Sequence, residues 1–298
     1  MDQLKKNLGI GFFFVLVPLG LLWAWWPKEK EALPADNGFE DFLAAARLVA
    51  DARTSLAPFA AGGSFLSRAE NAEAWKLAQR GLAKTTRLPL ARLEEDPRLA
   101  SDYFRGLLYL SFGIEQVIQH EFRSLGHTNE ARALLLDALR LAHEPYRYRG
   151  GMAAHMANAA NIESRFLRHA NDMLVKADAT SAREICKTLA ALDEKVETPA
   201  TVWGRQAMFA SRTNVWQLVT PDAIYHSVRT DLKPVKEGFF RTMNGSAGQR
   251  RKILVDAAAR LHELEVGKRP ASFADLVPKY LKAAPKDPET GKELNYTF

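Results

Sequence analysis

The amino-terminal part of the chain contains one long stretch without charge, from Leu8 to Trp26. As an α-helix its nineteen residues would rise about 28 Å, which covers most of the hydrocarbon thickness of a bilayer. Pro18 is tolerated in a membrane-spanning helix, and the three tryptophans at the far end of the stretch suit a membrane interface. The sequence therefore predicts that residues 8–26 anchor the protein in a lipid bilayer.

A cleavable signal peptide is the alternative interpretation of this stretch. The apolar run is long for a signal peptide, and the segment after it, WWPKEKEALPADN, offers no cleavage site of the small-x-small type. We therefore expect the anchor to be retained in the mature protein.

The positive charges on its two sides predict the orientation of the anchor. Lys5 and Lys6 precede the span and Lys28 and Lys30 follow it, so the count of basic residues is a tie. The amino terminus adds positive charge to the first side, and several acidic residues dilute the positive charge on the second side. We expect a single pass through the inner (cytoplasmic) membrane, with residues 31–298 outside the cytoplasm.

The composition argues against several functional classes. The net charge of +6, from 41 Lys and Arg against 35 Asp and Glu, is too small to predict binding to nucleic acid. Cys186 is the only cysteine, which excludes an internal disulfide. P-loop, GxGxxG and GxSxG motifs do not occur in the sequence, which predicts no cofactor.

Apolar residues recur at spacings of three and four along most of the chain, which is the pattern of amphipathic helices. The pattern predicts a helix in which Phe42, Ala46 and Val49 share one face, and a short helix over residues 69–83. A helix of about seven turns follows between Asp96 and Ser124, and the glycine at position 126 is expected to end it.

The middle of the sequence predicts a helical hairpin followed by further helices. Thr128 is the expected N-cap of the second helix of the hairpin, a long helix follows over residues 152–176, and Ser181 with Glu184 has the spacing of a capping box. The fold class is therefore all-α, because no segment before residue 270 has a convincing strand pattern. We expect a transmembrane helix followed by antiparallel helical hairpins in an irregular tetratricopeptide-like array.

The carboxyl-terminal segment differs from the rest of the chain. A loop at NGSAG, residues 244–248, is expected to precede a helix that begins near Gln249 and ends at Gly267. Ser272 should cap a short helical turn, DPETG should form a turn, and KELNYTF has the character of a short strand. The sequence thus divides into a cytoplasmic tail and transmembrane anchor (1–30), a helical domain (31–240) and a Pro-rich helix-plus-flap module (241–298).

The order of motifs GKRPASFADLVPKYL and PKDPETGKELNY carries a resemblance to a known class of proteins. It resembles the end of uncharacterised single-pass, membrane-anchored helical proteins of the type abundant in planctomycetes and verrucomicrobia. The residues that match are Pro270, Phe273, Leu276, Pro278, Tyr280, Leu281, Pro285, Asp287, Pro288, Gly291, Leu294 and Tyr296. The segments NGFEDFLAAARLV and LGHTNEARALLLDALRLA are also similar to that class. This resemblance implies an architecture and a location, but no activity.

The same carboxyl-terminal segment is distantly similar to the major pseudopilin of type II secretion. Gly11 before Phe12 even resembles a prepilin processing site. A prepilin, however, has Glu five residues after the processed glycine, where this chain has Leu16. Pro27 and Pro34 would also interrupt the helix that a pilin continues beyond the membrane.

Glu163 is the unusual residue of the helix predicted over residues 152–176. It falls in the row of Met156 and Phe166, where apolar side chains are expected. A buried carboxylate needs a partner such as an arginine on a neighbouring helix, so a structural ion pair is favoured over a catalytic acid. His155 and His169 lie on the same helix, but separations of eight and six residues do not bring them onto one ligand face with Glu163. The sequence predicts no metal site.

The segment PYRYRGG is the second candidate site. It interleaves Tyr146 and Tyr148 with Arg147 and Arg149, a combination that suits anionic or aromatic groups. An interhelical loop also needs polar residues and glycines, which is the simpler interpretation of the same letters.

These observations favour an extracytoplasmic scaffold, or a subunit of an envelope complex, that binds another protein or a second copy of itself. The alternatives are an envelope enzyme with a dispersed active site around Glu163 and His155, and a pilin-like assembly component. An enzyme should have a deep pocket with Glu163 unpaired and accessible. A scaffold should have an apolar or basic groove rimmed by PYRYRGG.

Overall fold

The structure, a computed structural model, describes residues 33–50, 64–146, 153–206 and 233–298. The stretch predicted to span the membrane, residues 8–26, lies outside these ranges. Within them, no helix combines the length and the apolar character that crossing a bilayer requires. The described residues from Pro34 to Gln206 and from 233 to Phe298 belong to one compact unit.

The fold of the described residues is all-α, as the sequence predicts. The helices are α1 (Phe39–Val49), α2 (Ala69–Leu82), α3 (Leu90–Glu95), α4 (Pro97–Gln119), α5 (Thr128–Leu141), α6 (Ala153–Leu174), α7 (Ala179–Lys195), α8 (described over 199–206) and α9 (Lys233–Val266). A π-helical turn, His120–Leu125, continues α4, and 3-10 turns lie at Phe65–Ser67 and Phe273–Asp275. These ranges contain no strand, and their β-pairing is limited to two isolated bridges.

Helix α6 is central to the packing. It contacts α4, α5, α7 and α9, while α1 packs between α2 and α4. The predicted apolar face of α1 is confirmed, because Phe42, Ala46 and Val49 are fully buried. Helices α1 and α4 approach very closely at Gly106, where an added Cβ would lie 2.1 Å from the carbonyl oxygen of Ala46.

The ends of α4 and the start of α5 follow from local chemistry. The carboxylate of Asp96 caps α4 by accepting hydrogen bonds from the backbone N–H groups of Arg98 and Leu99. Gly126 adopts a left-handed conformation with φ of 72°, which confirms the predicted end of this helical segment. Thr128 is not the N-cap of α5, because it is already the first residue of the helix and His127 precedes it without a side-chain cap.

The predicted capping box of α7 is also wrong. The cap is Asp178, whose carboxylate accepts a hydrogen bond of 2.7 Å from the backbone N–H of Ser181. Ser181 and Glu184 instead face α5, where both contact Arg132. Asp178 lies three residues before Ser181, and its negative carboxylate is favoured near the positive end of the helix dipole, so Asp178 is the N-cap.

Helix α9 is described from Lys233 onward, so it starts well before Gln249, and it passes through the NGSAG segment without a loop. The boundary drawn after residue 240 therefore falls inside a continuous helix of 34 residues. Tertiary packing offsets the poor helix propensity of these glycines, since Met243 and Ser246 are buried against the neighbouring helices. Gly267, with φ of 80°, ends the helix as predicted.

The carboxyl-terminal segment packs on α9 through a few anchored side chains. Ser272 and Asp275 form a capping box around the short 3-10 turn, which confirms the predicted cap. Leu276 and Leu281 are buried. DPETG forms the expected turn, but KELNYTF is not a strand, because its pairing is a single bridge between Lys286 and Glu293.

Candidate functional site

Glu163 on α6 lies at the centre of a buried polar network. Its side chain is 1% exposed, and its two carboxylate oxygens accept hydrogen bonds of 2.7 and 2.8 Å from Nη1 of Arg250 on α9. The hydroxyl of Ser246, one turn earlier on α9, donates to Oε2 at 2.5 Å. The Nε2 atom of His143 lies 3.0 Å from Oε1, although its orientation is poor for a hydrogen bond. The arginine partner expected from the sequence is thus confirmed.

The network continues from Arg250 to the carboxyl-terminal segment. Arg250 donates from Nε and Nη2 to Oδ1 of Asp193 on α7, at 3.1 and 3.0 Å. Asp193 also accepts a 2.9 Å hydrogen bond from Nε of Arg251, whose Nη1 reaches the carbonyl oxygen of Lys286 at 2.6 Å. One connected set of hydrogen bonds therefore joins α6, α7, α9 and the segment around Lys286.

The electrostatics of the network fix the charge of Glu163. Burial alone would raise the pKa of this carboxyl, but the positive charge of Arg250 and the adjacent His143 hold it well below its usual range. Burial likewise opposes the charge on Arg250, and the carboxylates of Glu163 and Asp193 raise its pKa. A carboxylate that stays ionised and fully paired serves as a structural anion, not as a proton donor.

Glu115 on α4 is another buried carboxylate. It accepts a 2.7 Å hydrogen bond from Nε of Arg165, and Nε2 of His169 lies 3.3 Å from its other oxygen. Burial raises the pKa of Glu115, but the hydrogen bonds and charges of His169 and Arg165 give a net lowering. The guanidinium of Arg165 also lies over the ring of Phe112, 4.5 Å from its centroid. This pairing attaches α6 to α4.

A cleft of about 580 Å³ opens beside this second pairing. Its walls come from α4 with its π-helical extension and from α9, and α6, which contacts both helices, lies between them. The lining residues are Glu115, Gln119, Arg123, Arg168, His169, Asn171, Asp172, Gln249, Lys252, Ile253 and Asp256. Ten of these eleven side chains are polar or charged, so the cleft can offer charges and hydrogen bonds to a ligand.

Asp256 connects this cleft to the carboxyl-terminal segment. The hydroxyl of Tyr296 donates a hydrogen bond to Oδ1 of Asp256. Burial raises the pKa of Asp256, and the hydrogen bond from Tyr296 and the charge of Lys252 only partly oppose that effect. The end of the chain thus holds one wall residue of the cleft in place.

Of the four candidate residues in PYRYRGG, the structure describes only Tyr146. Tyr146 is 1% exposed and lies in the core, where its ring stacks on Phe104 with centroids 5.8 Å apart. It therefore cannot serve as a surface binding residue, because the segment before the loop packs inward. Arg147, Tyr148 and Arg149 lie outside the described residues.

His155 was the proposed companion of Glu163 in an active site. Its ring stacks on Phe104 with centroids 4.0 Å apart, and burial lowers its pKa to about 4. Glu163 is closed off by its own partners, as described above. Among the residues that the structure describes, no group of three His, Cys, Asp or Glu side chains is arranged to hold a metal ion.

Sequence reasoning did not find the polar cleft. The available signal was a polar stripe on each helix: Glu115, Gln119 and Arg123 on α4, and Gln249, Lys252 and Asp256 on α9. Such stripes at spacings of three and four are ordinary on solvent-facing helices. Only the packing of both helices on α6 makes them opposite walls.

Comparisons with known proteins add no family to this description. No family model, curated protein or solved structure matches the chain. The resemblances noted from the sequence therefore stay predictions, and function has to be argued from the geometry above.

Proposed function

We propose that this protein is a membrane-anchored, extracytoplasmic scaffold or subunit of an envelope complex, which acts by binding another protein. The observation that carries the proposal is the state of Glu163. A dispersed active site would need this carboxylate unpaired and open to a pocket, whereas it is 1% exposed and bonded to Arg250 and Ser246. The carboxylate around which a dispersed active site would be built is thus committed to holding helices together.

The extent of the network supports a rigid binding platform. Charge-assisted hydrogen bonds are among the stronger contacts in proteins, and here they link α6, α7, α9 and the segment around Lys286. A preorganised surface loses less conformational entropy when it binds a partner. Residues 8–26 are predicted to anchor the protein in the membrane, and the described helices would present such a surface there.

The test is to isolate the full-length, tagged protein from native membranes after crosslinking and mild detergent extraction. Mass spectrometry would identify the proteins that remain bound and the amino terminus of the chain itself. A reproducible, near-stoichiometric companion together with an intact amino terminus supports the proposal. A solitary protein contradicts it, and a mature chain that begins at Phe12 favours pilin-like assembly instead.

A matched control separates the domain from its anchor. Residues 1–30 would be replaced by the anchor of an unrelated inner-membrane protein, and residues 31–298 would be kept. A companion held by the helical domain should still copurify with this version. A companion lost with the native anchor would show that the binding surface is not on the domain proposed here.

A further inference from the structure

We propose that the cleft between α4 and α9 is a binding site for a small anion that carries carboxylate or phosphate groups. This inference does not depend on the proposed protein-binding function. It rests on three features of the cleft: its converging helix faces, the charges that remain unpaired in it, and its size.

Three helix faces converge on the cleft. On α4 and its extension the lining residues are spaced by four, at positions 115, 119 and 123. On α9 they are spaced by three, one and three, at positions 249, 252, 253 and 256, and α6 contributes positions 168, 169, 171 and 172. Residues at these spacings lie on one side of a helix, so all three helices direct polar side chains to the same volume.

The acidic groups of the lining are already engaged. Asp172 accepts a 2.7 Å hydrogen bond from Arg123, Glu115 is held by Arg165 and His169, and Asp256 accepts from the hydroxyl of Tyr296. Arginine partners thus offset the charges of Asp172 and Glu115, and Tyr296 occupies one oxygen of Asp256.

Two basic groups of the lining form no ion pair, although the charge of Lys252 acts on Asp256 one turn further along α9. Neither Arg168 nor Lys252 has an acidic partner within 4.0 Å among the described residues. Three side-chain amides, of Gln119, Asn171 and Gln249, also line the cleft and form no hydrogen bond within the described part of the chain. Basic side chains without an ion pair and amides without a hydrogen bond are the groups that can bind carboxylate or phosphate oxygens.

The volume and the functional groups of the cleft define the ligand class. A volume of about 580 Å³ lies within the range of small-molecule sites, which is about 300–1,000 Å³. Ile253 is the only apolar residue of the lining, so the groups that can discriminate between ligands there are polar or charged.

The test uses the full-length chain in detergent and isothermal titration calorimetry, with inorganic phosphate and succinate as separate probes. The variant Arg168→Gln with Lys252→Gln removes both cations and keeps polar side chains at exposed positions. The matched control is Arg47→Gln with Lys187→Gln, which removes the same charges from exposed positions outside the cleft. Circular dichroism would verify that both variants fold like the wild type.

We expect at least one probe to bind the wild type and the control variant with a dissociation constant below about 1 mM. The cleft variant should bind that probe at least about tenfold more weakly, which corresponds to one lost charge-assisted contact. The probe with the higher affinity assigns the anion as a phosphate or a carboxylate. The proposal is overturned if neither probe binds in this range, or if the cleft and control variants lose affinity equally.

Discussion

The buried pair of Glu163 and Arg250 gives the sharpest prediction about stability. In the variant Arg250→Met, the carboxylate of Glu163 loses the hydrogen bonds of 2.7 and 2.8 Å and keeps only Ser246 and His143 nearby. Removing one partner of a buried ion pair costs about 3–5 kcal/mol, because the other charge stays desolvated. Asp193 adds little to this loss, since it keeps its hydrogen bond to Arg251.

The pH dependence of this loss follows from the pKa of Glu163. In the wild type the pKa of Glu163 is lowered by folding. The ionised carboxylate therefore contributes its full share of the free energy of unfolding above about pH 4.3, the pKa of Glu in an unfolded chain. This share is lost as the pH falls below that value. In the variant, burial without Arg250 should raise the folded pKa above the unfolded one. Protonated Glu163 then stabilises the variant at low pH, and this stabilisation is lost as the pH rises. The deficit should therefore shrink from about pH 8 to about pH 5, by at most about 1.4 kcal/mol per pH unit.

The assay is urea unfolding of the full chain in detergent, followed by circular dichroism at several pH values. Arg241→Met, an exposed arginine on the same helix, is the control and should change the free energy of unfolding by less than about 0.5 kcal/mol. The double variant Glu163→Gln with Arg250→Met should recover part of the loss, because no buried charge remains unpaired. A loss under about 1 kcal/mol, or a deficit that does not change with pH, would refute this reasoning.

Three further predictions concern other parts of the described fold. Gly106→Ala should lower the free energy of unfolding by at least about 1–3 kcal/mol, because the new Cβ meets a backbone carbonyl. Gly245→Ala has open space around it and should raise the free energy of unfolding by about 0.5–1 kcal/mol. Urea unfolding measures both. Because the pKa of His155 is lowered in the folded state, its neutral ring contributes to the free energy of unfolding above about pH 6.5. This contribution is lost as the pH falls to about 4. Thermal melts of the variant H155F should therefore lose less stability across that range than the wild type. Tyr296→Phe should cost about 1–3 kcal/mol and raise the pKa of Asp256 further, which carboxyl NMR titration detects.

The helical periods of the sequence were sufficient to predict most of the described helices. Amphipathic spacing identified the helix around Phe42, the long helix that ends before Gly126 and the helix around Glu163, because burial of one face is written into the order of residues. Errors concentrated at helix starts: at α7 Asp178 takes the cap position expected for Ser181, and α5 starts at Thr128 without a side-chain cap.

Helix α9 shows where local propensity fails. Its glycines predict a break at residues 244–248, but the helix continues because Ser246 and Arg250 bond to Glu163 on α6. Those contacts span 83 and 87 residues of sequence, a separation over which no local pattern carries information. The free energy gained from packing and pairing exceeds the cost of glycine in a helix.

The sequence by itself determined the helical fold class and the need of Glu163 for a basic partner, since each follows from periodicity or from the cost of burying charge. It also predicts the membrane anchor from length and apolarity, which stays a prediction. Only the tertiary structure decided that the partner is Arg250, that Tyr146 lies in the core, and that the polar faces of α4 and α9 meet as one cleft over α6. The physical reason is that a helix face is encoded within a few turns, whereas the choice of its neighbour depends on packing of the whole chain.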